Sequence, residues 1–266
     1  MALLPSIITL GNGVCGVLAI FNVGLALDLD KVRYFQTAAW LILAGMIFDA
    51  LDGFVARMTK TASSFGAQLD SLCDLVTFGV APSYLVFALS RSERGAAEWW
   101  DRVVLAVCVL YAMCALIRLA RFTVETTPDE SSHREFAGLP SPAAAGVVAA
   151  AVLPSQFIQA KVPDLAPAIT AALPGLAFAA GVLMVSRVRY AHVINRVLKG
   201  NRPFVTLLEL VLVGSLVVIF KEFSFFLAFF GYAVMGPVFW LKRRFLPRRA
   251  PAAGAVPVPD RSEDLF

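Results

Sequence analysis

Long apolar segments constrain the fold of this chain more than any other feature of its sequence. A helix needs roughly 20 predominantly apolar residues to cross a bilayer. Only 16% of the residues are charged, whereas a typical soluble domain carries about 25%. Because backbone polar groups in lipid must be paired within their own segment, we predict an all-α, polytopic membrane helical bundle. Eight spans are predicted, at about residues 4–27, 34–56, 66–89, 99–120, 139–158, 165–186, 204–220 and 223–241.

The sequence predicts one membrane domain followed by a short tail. The domain is expected to cover residues 1–241, and residues 242–266 form a tail that is first basic and then rich in proline and alanine. Such a composition cannot bury enough apolar surface to fold, so the tail is predicted to be disordered. The first apolar segment lacks a basic region before it and is expected to remain as a span.

The distribution of basic residues predicts that both termini lie in the cytoplasm. In that orientation 16 of the 23 Lys and Arg residues fall on the cytoplasmic side and seven on the other side. This is the asymmetry expected of a multi-pass protein in the cell (inner) membrane. The end of the second span and the start of the third would then face the cytoplasm, where nucleotides are found.

Four aspartates lie in otherwise apolar sequence around the junction of the second and third spans. Asp49 and Asp52 are three residues apart and Asp70 and Asp74 four apart, so on helices each pair shares one face. Carboxylates are costly in lipid, and four close together repel one another. Since hard cations such as Mg²⁺ take carboxylate oxygens, we predict a divalent-metal site at the membrane surface. The alternative, pairing with nearby basic residues, would leave at least two carboxylates uncompensated.

These aspartates are part of a longer pattern, D-x2-D-G-x2-A-R-x8-G-x3-D-x3-D, in which every position is filled. In this motif the chain resembles the CDP-alcohol phosphotransferases, integral membrane enzymes of phospholipid synthesis. The resemblance implies two ions, Mg²⁺ or Mn²⁺, one held by Asp49, Asp52 and Asp70 and the other by Asp49, Asp70 and Asp74. It also implies that Asp74 is the general base for the acceptor hydroxyl, and that family members form homodimers.

The same resemblance implies a CDP-diacylglycerol site lined by five residues between Asp52 and Asp70. Small residues let a nucleotide approach helix backbones closely. An arginine pairs well with a diphosphate. A serine can cap the third helix, whose N-terminus favours phosphate. The candidates are Gly53, Ala56, Arg57, Ser63 and Gly66.

Thr9 and Asn12 are polar residues of the first span and lie three residues apart. We consider them as further contacts of CDP-diacylglycerol. The alternative is that they form hydrogen bonds with a neighbouring helix, which is the commoner use of such residues in membranes.

Further segments narrow the choice of acceptor alcohol. They resemble the bacterial and archaeal branch of this superfamily that makes phosphatidylserine, which implies L-serine as acceptor and CMP as the released product. Arg118 and Arg121 lie three apart at the end of the fourth span and can bind the serine carboxylate; alternatively, they are ordinary cytoplasmic anchors. The segments are LLPSIITLGNGVCGVLAI, LDSLCDLVTFGVAPS, IRLARF, FAGLPSP and LMVSRVRY.

Two other functions remain as alternatives. The first keeps the donor and changes the acceptor to glycerol 3-phosphate, inositol phosphate or choline. The second is an ion-coupled transporter, whose intramembrane aspartates would bind the transported ion near the bilayer midplane. We expect membrane lipids as the surroundings and no nucleic acid as a partner.

Overall fold

The structure is a computed structural model and describes residues 3–59, 64–93, 98–125, 138–188, 190 and 221–245. Within these residues the regular structure is helical. A six-residue π-helix, Leu75–Val80, joins the third and fourth helices into one continuous rod, and a short 3₁₀ turn, Pro163–Leu165, precedes the seventh. The α-helices are α1 (Leu3–Leu25), α2 (Lys31–Thr59), α3 (Ser64–Asp74), α4 (Ala81–Glu93), α5 (Glu98–Glu125), α6 (Ser141–Lys161), α7 (Ala166–Val185) and α8 (Lys221–Phe245).

Seven helical rods of the described part are long and apolar enough to cross a membrane, with α3, the π-helix and α4 forming one of them. The chain is therefore a multi-pass membrane protein, and seven of the eight predicted spans are confirmed. The eighth, at 204–220, lies outside the described residues, as does the tail from residue 246 onward. The orientation of the termini and the division into domain and tail stay predictions.

Helix α6 forms the centre of the bundle. Its most apolar stretch is 83% buried, whereas that of α8 is only 11% buried. The buried face of α6 is largely alanine, which lets neighbouring helices come close. At Gly146 a Cβ atom would lie 2.5 Å from the Phe229 ring of α8, so this contact requires glycine. The burial gradient places α8 at the periphery of the described bundle.

The π-helix is braced by two hydroxyl groups. The Thr77 hydroxyl donates to the backbone carbonyl of Asn12 on α1, over 2.9 Å. The Tyr111 hydroxyl of α5 donates to the carbonyl of Phe78, over 3.0 Å. π-Helical turns are rare and are found frequently at functional sites. Here the braced segment follows directly after Asp74, the last residue of α3.

Three glycines bring α1 and α2 into direct contact with this rod. A Cβ at Gly13 would lie 2.8 Å from the Cys73 sulfur, one at Gly16 would lie 2.8 Å from Cα of Thr77, and one at Gly45 would lie 2.5 Å from Cγ2 of Thr77. We call Gly13, Gly16 and Gly45 the glycine junction. Only residues without a side chain permit this approach, and it holds the carboxylate-bearing parts of α2 and α3 close together.

A second close contact fixes the start of α6. Gly138 has a φ of 92°, which favours glycine. Its N–H donates to the carbonyl of Val188 over 2.8 Å, and that of Leu139 donates to Leu183 over 2.9 Å. A Cβ at position 138 would collide with the carbonyl of Met184. The start of α6 is thus tied to the end of α7.

Candidate metal and substrate site

Three of the four predicted aspartates converge. Asp49 comes from the C-terminal half of α2, and Asp70 and Asp74 lie one turn apart on α3. One carboxylate oxygen from each lies within 4.8 Å of the others. The i, i+4 spacing on α3 and the glycine junction together bring these groups onto one side of the two helices.

The chemistry of this cluster fits a hard divalent cation. Two oxygens on opposite sides of one Mg²⁺, each at about 2.1 Å, lie about 4.2 Å apart, so small side-chain movements let all three carboxylates contact a single ion. The donors are oxygens only, as Mg²⁺ and Mn²⁺ prefer. The competing hypothesis is ion pairing with Arg57, in the last turn of α2, and Lys60, just after it. The Arg57 side chain and Lys60 lie outside the described residues.

Asp52 is held differently from the other three aspartates. It is only 7% exposed, and its carboxylate accepts a hydrogen bond from the Thr9 hydroxyl of α1. It is not one of the three residues whose oxygens converge within 4.8 Å. Its charge nevertheless acts on Asp49, Asp70 and Asp74, so it belongs to the same electrostatic cluster. The participation of Asp52 in a metal site stays a prediction.

Asn12 lies one turn after Thr9 on α1 and also forms a hydrogen bond with an aspartate. Its side-chain amide donates to Oδ1 of Asp74 over 2.8 Å, and the side chain is fully buried. Thr9 and Asn12 therefore both form hydrogen bonds with a neighbouring helix, which is one of the two roles considered for them. Contact with a nucleotide stays a prediction for both residues.

The residues predicted to line the CDP site flank the carboxylates. Gly53 follows Asp52 directly, Ala56 lies one turn later on α2, and Gly66 lies one turn before Asp70. All three are half-buried. The Arg57 side chain and Ser63 lie outside the described residues, so the structure does not describe their positions relative to the cluster.

The two arginines predicted to bind serine lie at the same end of the bundle as the carboxylates. The hydroxyls of Ser71 on α3 and Thr123 on α5 are 3.5 Å apart, which brings the end of α5 beside the metal-site helix. Arg118 is half-buried and donates to the carbonyl of Met184 over 3.4 Å, while Arg121 is exposed. Arg118 therefore contacts the backbone where α7 ends, and serine binding by Arg118 and Arg121 stays a prediction.

Two tyrosines beside Arg118 were not predicted. The rings of Tyr190 and Tyr232 have centroids 5.4 Å apart, and the Tyr190 hydroxyl donates to the carbonyl of Ala233 over 3.0 Å. Burial, and then Tyr232, raise the pKa of Tyr190 to about 12, although Arg118 opposes the shift. The Tyr190 hydroxyl therefore stays protonated and can donate. These residues are far apart in sequence, and no periodic pattern marks them.

Comparison with known proteins extends what this geometry indicates. The CDP-alcohol phosphatidyltransferase family matches residues 2–193. A CDP-diacylglycerol–serine O-phosphatidyltransferase of Helicobacter pylori strain J99 is 34% identical over 243 residues, which are 90% of this chain and 91% of the relative. A protein of the same name from Saccharomyces cerevisiae is 42% identical over 146 residues, 53% of this chain and 50% of the relative. An archaetidylserine synthase of Methanothermobacter thermautotrophicus is 32% identical over 192 residues, 71% of this chain and 70% of the relative. The chain belongs to the CDP-alcohol phosphatidyltransferase family.

Proposed function

We propose that this protein transfers the phosphatidyl group of CDP-diacylglycerol to the hydroxyl of L-serine, giving phosphatidylserine and CMP. The observation that carries the chemistry is the convergence of Asp49, Asp70 and Asp74 within 4.8 Å at one end of a membrane bundle. The choice of serine is supported by the Helicobacter relative named for this reaction, which is similar along 90% of the chain.

The donor diphosphate is proposed to bind next to the carboxylates, between the ends of α2 and α3. Gly53, Ala56 and Gly66 lack bulky side chains and are half-buried beside the cluster, which leaves space for a nucleotide. Arg57 would pair with the diphosphate and Ser63 would cap α3. The two acyl chains would enter from the lipid between helices.

The aspartates are proposed to hold two divalent cations, Mg²⁺ or Mn²⁺, with Asp52 completing the set. When bound, such ions would neutralise charge on the diphosphate and on the departing CMP. Asp74 takes the proton of the serine hydroxyl. The serine oxygen then forms a bond to the phosphorus that carries diacylglycerol, and the bond from this phosphorus to the CMP oxygen breaks. Arg57 stabilises the charge that CMP takes with it.

Serine is proposed to bind between the carboxylate cluster and the end of α5. Arg118 would hold its carboxylate, with Arg121 closer to the aqueous side. The 3.5 Å approach of Ser71 and Thr123 supports this, because it brings the end of α5 next to the metal-site helix. The bond from Arg118 to the carbonyl of Met184 orients the guanidinium.

The site is proposed to face the cytoplasm from the inner membrane. The support is the charge asymmetry, since 16 of 23 Lys and Arg residues fall on the side of the aspartates when the termini are cytoplasmic. A homodimer is proposed from the family resemblance alone.

The test is an assay of CMP release by the purified protein in detergent micelles. The protein is supplied with CDP-diacylglycerol, Mn²⁺ and, in separate reactions, serine, glycerol 3-phosphate, inositol phosphate and choline. We expect CMP and phosphatidylserine with serine only. CMP formed with another acceptor would reassign the acceptor, and no CMP with any acceptor would refute the function.

A matched pair of carboxylate variants tests the role of the cluster. Asp74→Asn is expected to lower CMP release by at least about 100-fold, because the amide can neither take the proton nor ligate a cation as well. Asp28→Asn removes an exposed carboxylate in the turn after α1 and should leave turnover unchanged. Equal activity in the two variants would remove Asp74 from the mechanism.

A further inference from the structure

Asn12 contacts two successive parts of the rod that carries the metal-site carboxylates. Its side-chain amide donates to Asp74, the last residue of α3, over 2.8 Å. Its backbone carbonyl accepts from Thr77 in the π-helix, over 2.9 Å. One residue of α1 therefore holds both the carboxylate and the helical turn that follows it.

We propose that Asn12 is a positioning residue for Asp74, and that its two hydrogen bonds fix the direction in which the Asp74 carboxylate faces the other aspartates. The proposal rests on the proposed function for its catalytic consequence but not for its effect on metal binding. Hydrogen bonds from outer residues fix the orientation of metal-binding carboxylates, and their loss lowers metal affinity or activity.

The surroundings of Asn12 show that its side chain has little freedom. It is fully buried, and its Oδ1 lies 3.0 Å from where a Cβ of Gly45 would stand. The amide nitrogen must face Asp74, because an amide oxygen there would be repelled by the carboxylate. The glycine junction holds α1 and α2 close, so the amide cannot swing away unless the helices separate.

The Oδ1 atom of Asn12 indicates whether this residue orients Asp74 or only fills space in the bundle. Among the described residues this buried oxygen has no hydrogen-bond partner. An unpaired buried acceptor is destabilising, so an apolar residue of similar size would stabilise this position better. The contribution of Asn12 is therefore directed at Asp74 rather than at the stability of the bundle. With Oδ1 of Asp74 held by the amide, the second carboxylate oxygen stays available to a cation or a proton.

The test compares two asparagine variants of the same helix. Asn12→Ala removes the bond to Asp74, whereas Asn22→Ala removes an amide that, in the described part of the chain, donates to the carbonyl of Leu18 in its own helix. Mn²⁺ binding is measured by the loss of the free-ion electron paramagnetic resonance signal, per folded molecule. We expect Mn²⁺ affinity to fall about 10-fold or more in Asn12→Ala and to stay at the wild-type value in Asn22→Ala. Wild-type affinity in both variants, or an equal loss in both, would overturn the proposal.

Turnover provides a second measurement on the same proteins. In Asn12→Ala, kcat per folded molecule should fall about 10- to 100-fold, with the KM for CDP-diacylglycerol within about twofold of wild type. A purely structural role would lower the folded fraction and leave kcat per folded molecule unchanged. If the wild-type protein releases no CMP with serine, the proposed function fails, and the Mn²⁺ comparison still decides the role of Asn12.

A pair of variants at Thr77 keeps the proposal testable should Asn12→Ala not fold. Thr77→Val keeps the shape and loses the hydroxyl that donates to Asn12, whereas Thr77→Ser keeps the hydroxyl and loses the methyl group against Gly45. We expect weaker Mn²⁺ binding in Thr77→Val and recovery in Thr77→Ser. The same Mn²⁺ affinity in both would show that the hydrogen bond has no role in positioning.

Discussion

Replacing Gly16 by alanine tests whether the close approach of α1 to the π-helix is required. The new Cβ would lie 2.8 Å from Cα of Thr77, and ordinary contacts begin at 3.4 Å, so the two helices must move apart by 3.4 − 2.8 = 0.6 Å. Because the obstacle is a backbone atom, no change of rotamer relieves the overlap. Such overpacking costs about 1–3 kcal/mol.

Gly24 on the same helix is the matched control, because among the described residues no atom beyond its own stretch of helix lies within 4 Å of where its Cβ would stand. Each substitution also gains helix propensity, at most about 1 kcal/mol at Gly16 in the interior of α1 and less at Gly24, its penultimate residue. The overlap costs about 1–3 kcal/mol and outweighs this gain, so Gly16→Ala is expected to be the less stable protein.

Unfolding by sodium dodecyl sulfate in mixed micelles, followed by far-ultraviolet circular dichroism, measures this difference. Gly16→Ala should unfold at a lower detergent fraction than Gly24→Ala. It should also lose Mn²⁺ affinity, because Thr77 can no longer reach the carbonyl of Asn12. Identical unfolding curves for the two variants would refute the argument that the glycine junction sets the distance between the helices.

Three further predictions follow from the site and its supports. Asp70→Asn should lower CMP release by at least about 100-fold and weaken Mn²⁺ binding, since one of three converging carboxylates is lost; Asp28→Asn is the control. Chelation by EDTA should abolish CMP release, and added Mg²⁺ or Mn²⁺ should restore it, whereas activity that survives chelation would exclude the metal site. Tyr111→Phe should destabilise the protein in detergent unfolding by about 1 kcal/mol, because the Phe78 carbonyl loses its partner; an unchanged stability would show that this bond does not brace the π-helix.

The membrane spans could be predicted from the sequence because their signal is local. Length and apolar composition decide whether a helix can cross a bilayer, and both are properties of a single segment. The same holds for the spacing of the aspartates, which places Asp70 and Asp74 on one face of a helix whatever surrounds it. These inferences needed no knowledge of how the helices pack.

What depends on packing could not be predicted. The sequence leaves open whether Asn12 contacts a nucleotide or a neighbouring helix, and only the packing shows that its amide bonds to Asp74. Packing also decides that Asp52 bonds to Thr9 of α1 and is not among the three converging aspartates. Arg118 and Tyr190 lie close enough for their charges to interact although they are distant along the chain, and single-sequence patterns carry no signal for such a pair.

The π-helix implies that the third span contains a surplus residue in its length. An α-helix turns about 100° per residue, and the i→i+5 bonds of Leu75–Val80 place more residues in each turn. The wide turn absorbs this surplus residue, so α3 and α4 keep nearly the relative orientation of an uninterrupted α-helix that is one residue shorter. If the same six residues wound as an α-helix, α3 would be rotated relative to α4 by roughly one residue's turn, about 100°. Asp70 and Asp74 would then point away from α2 although neither had been changed. The winding of this single turn, and not only the carboxylates, is therefore a condition for assembling the site.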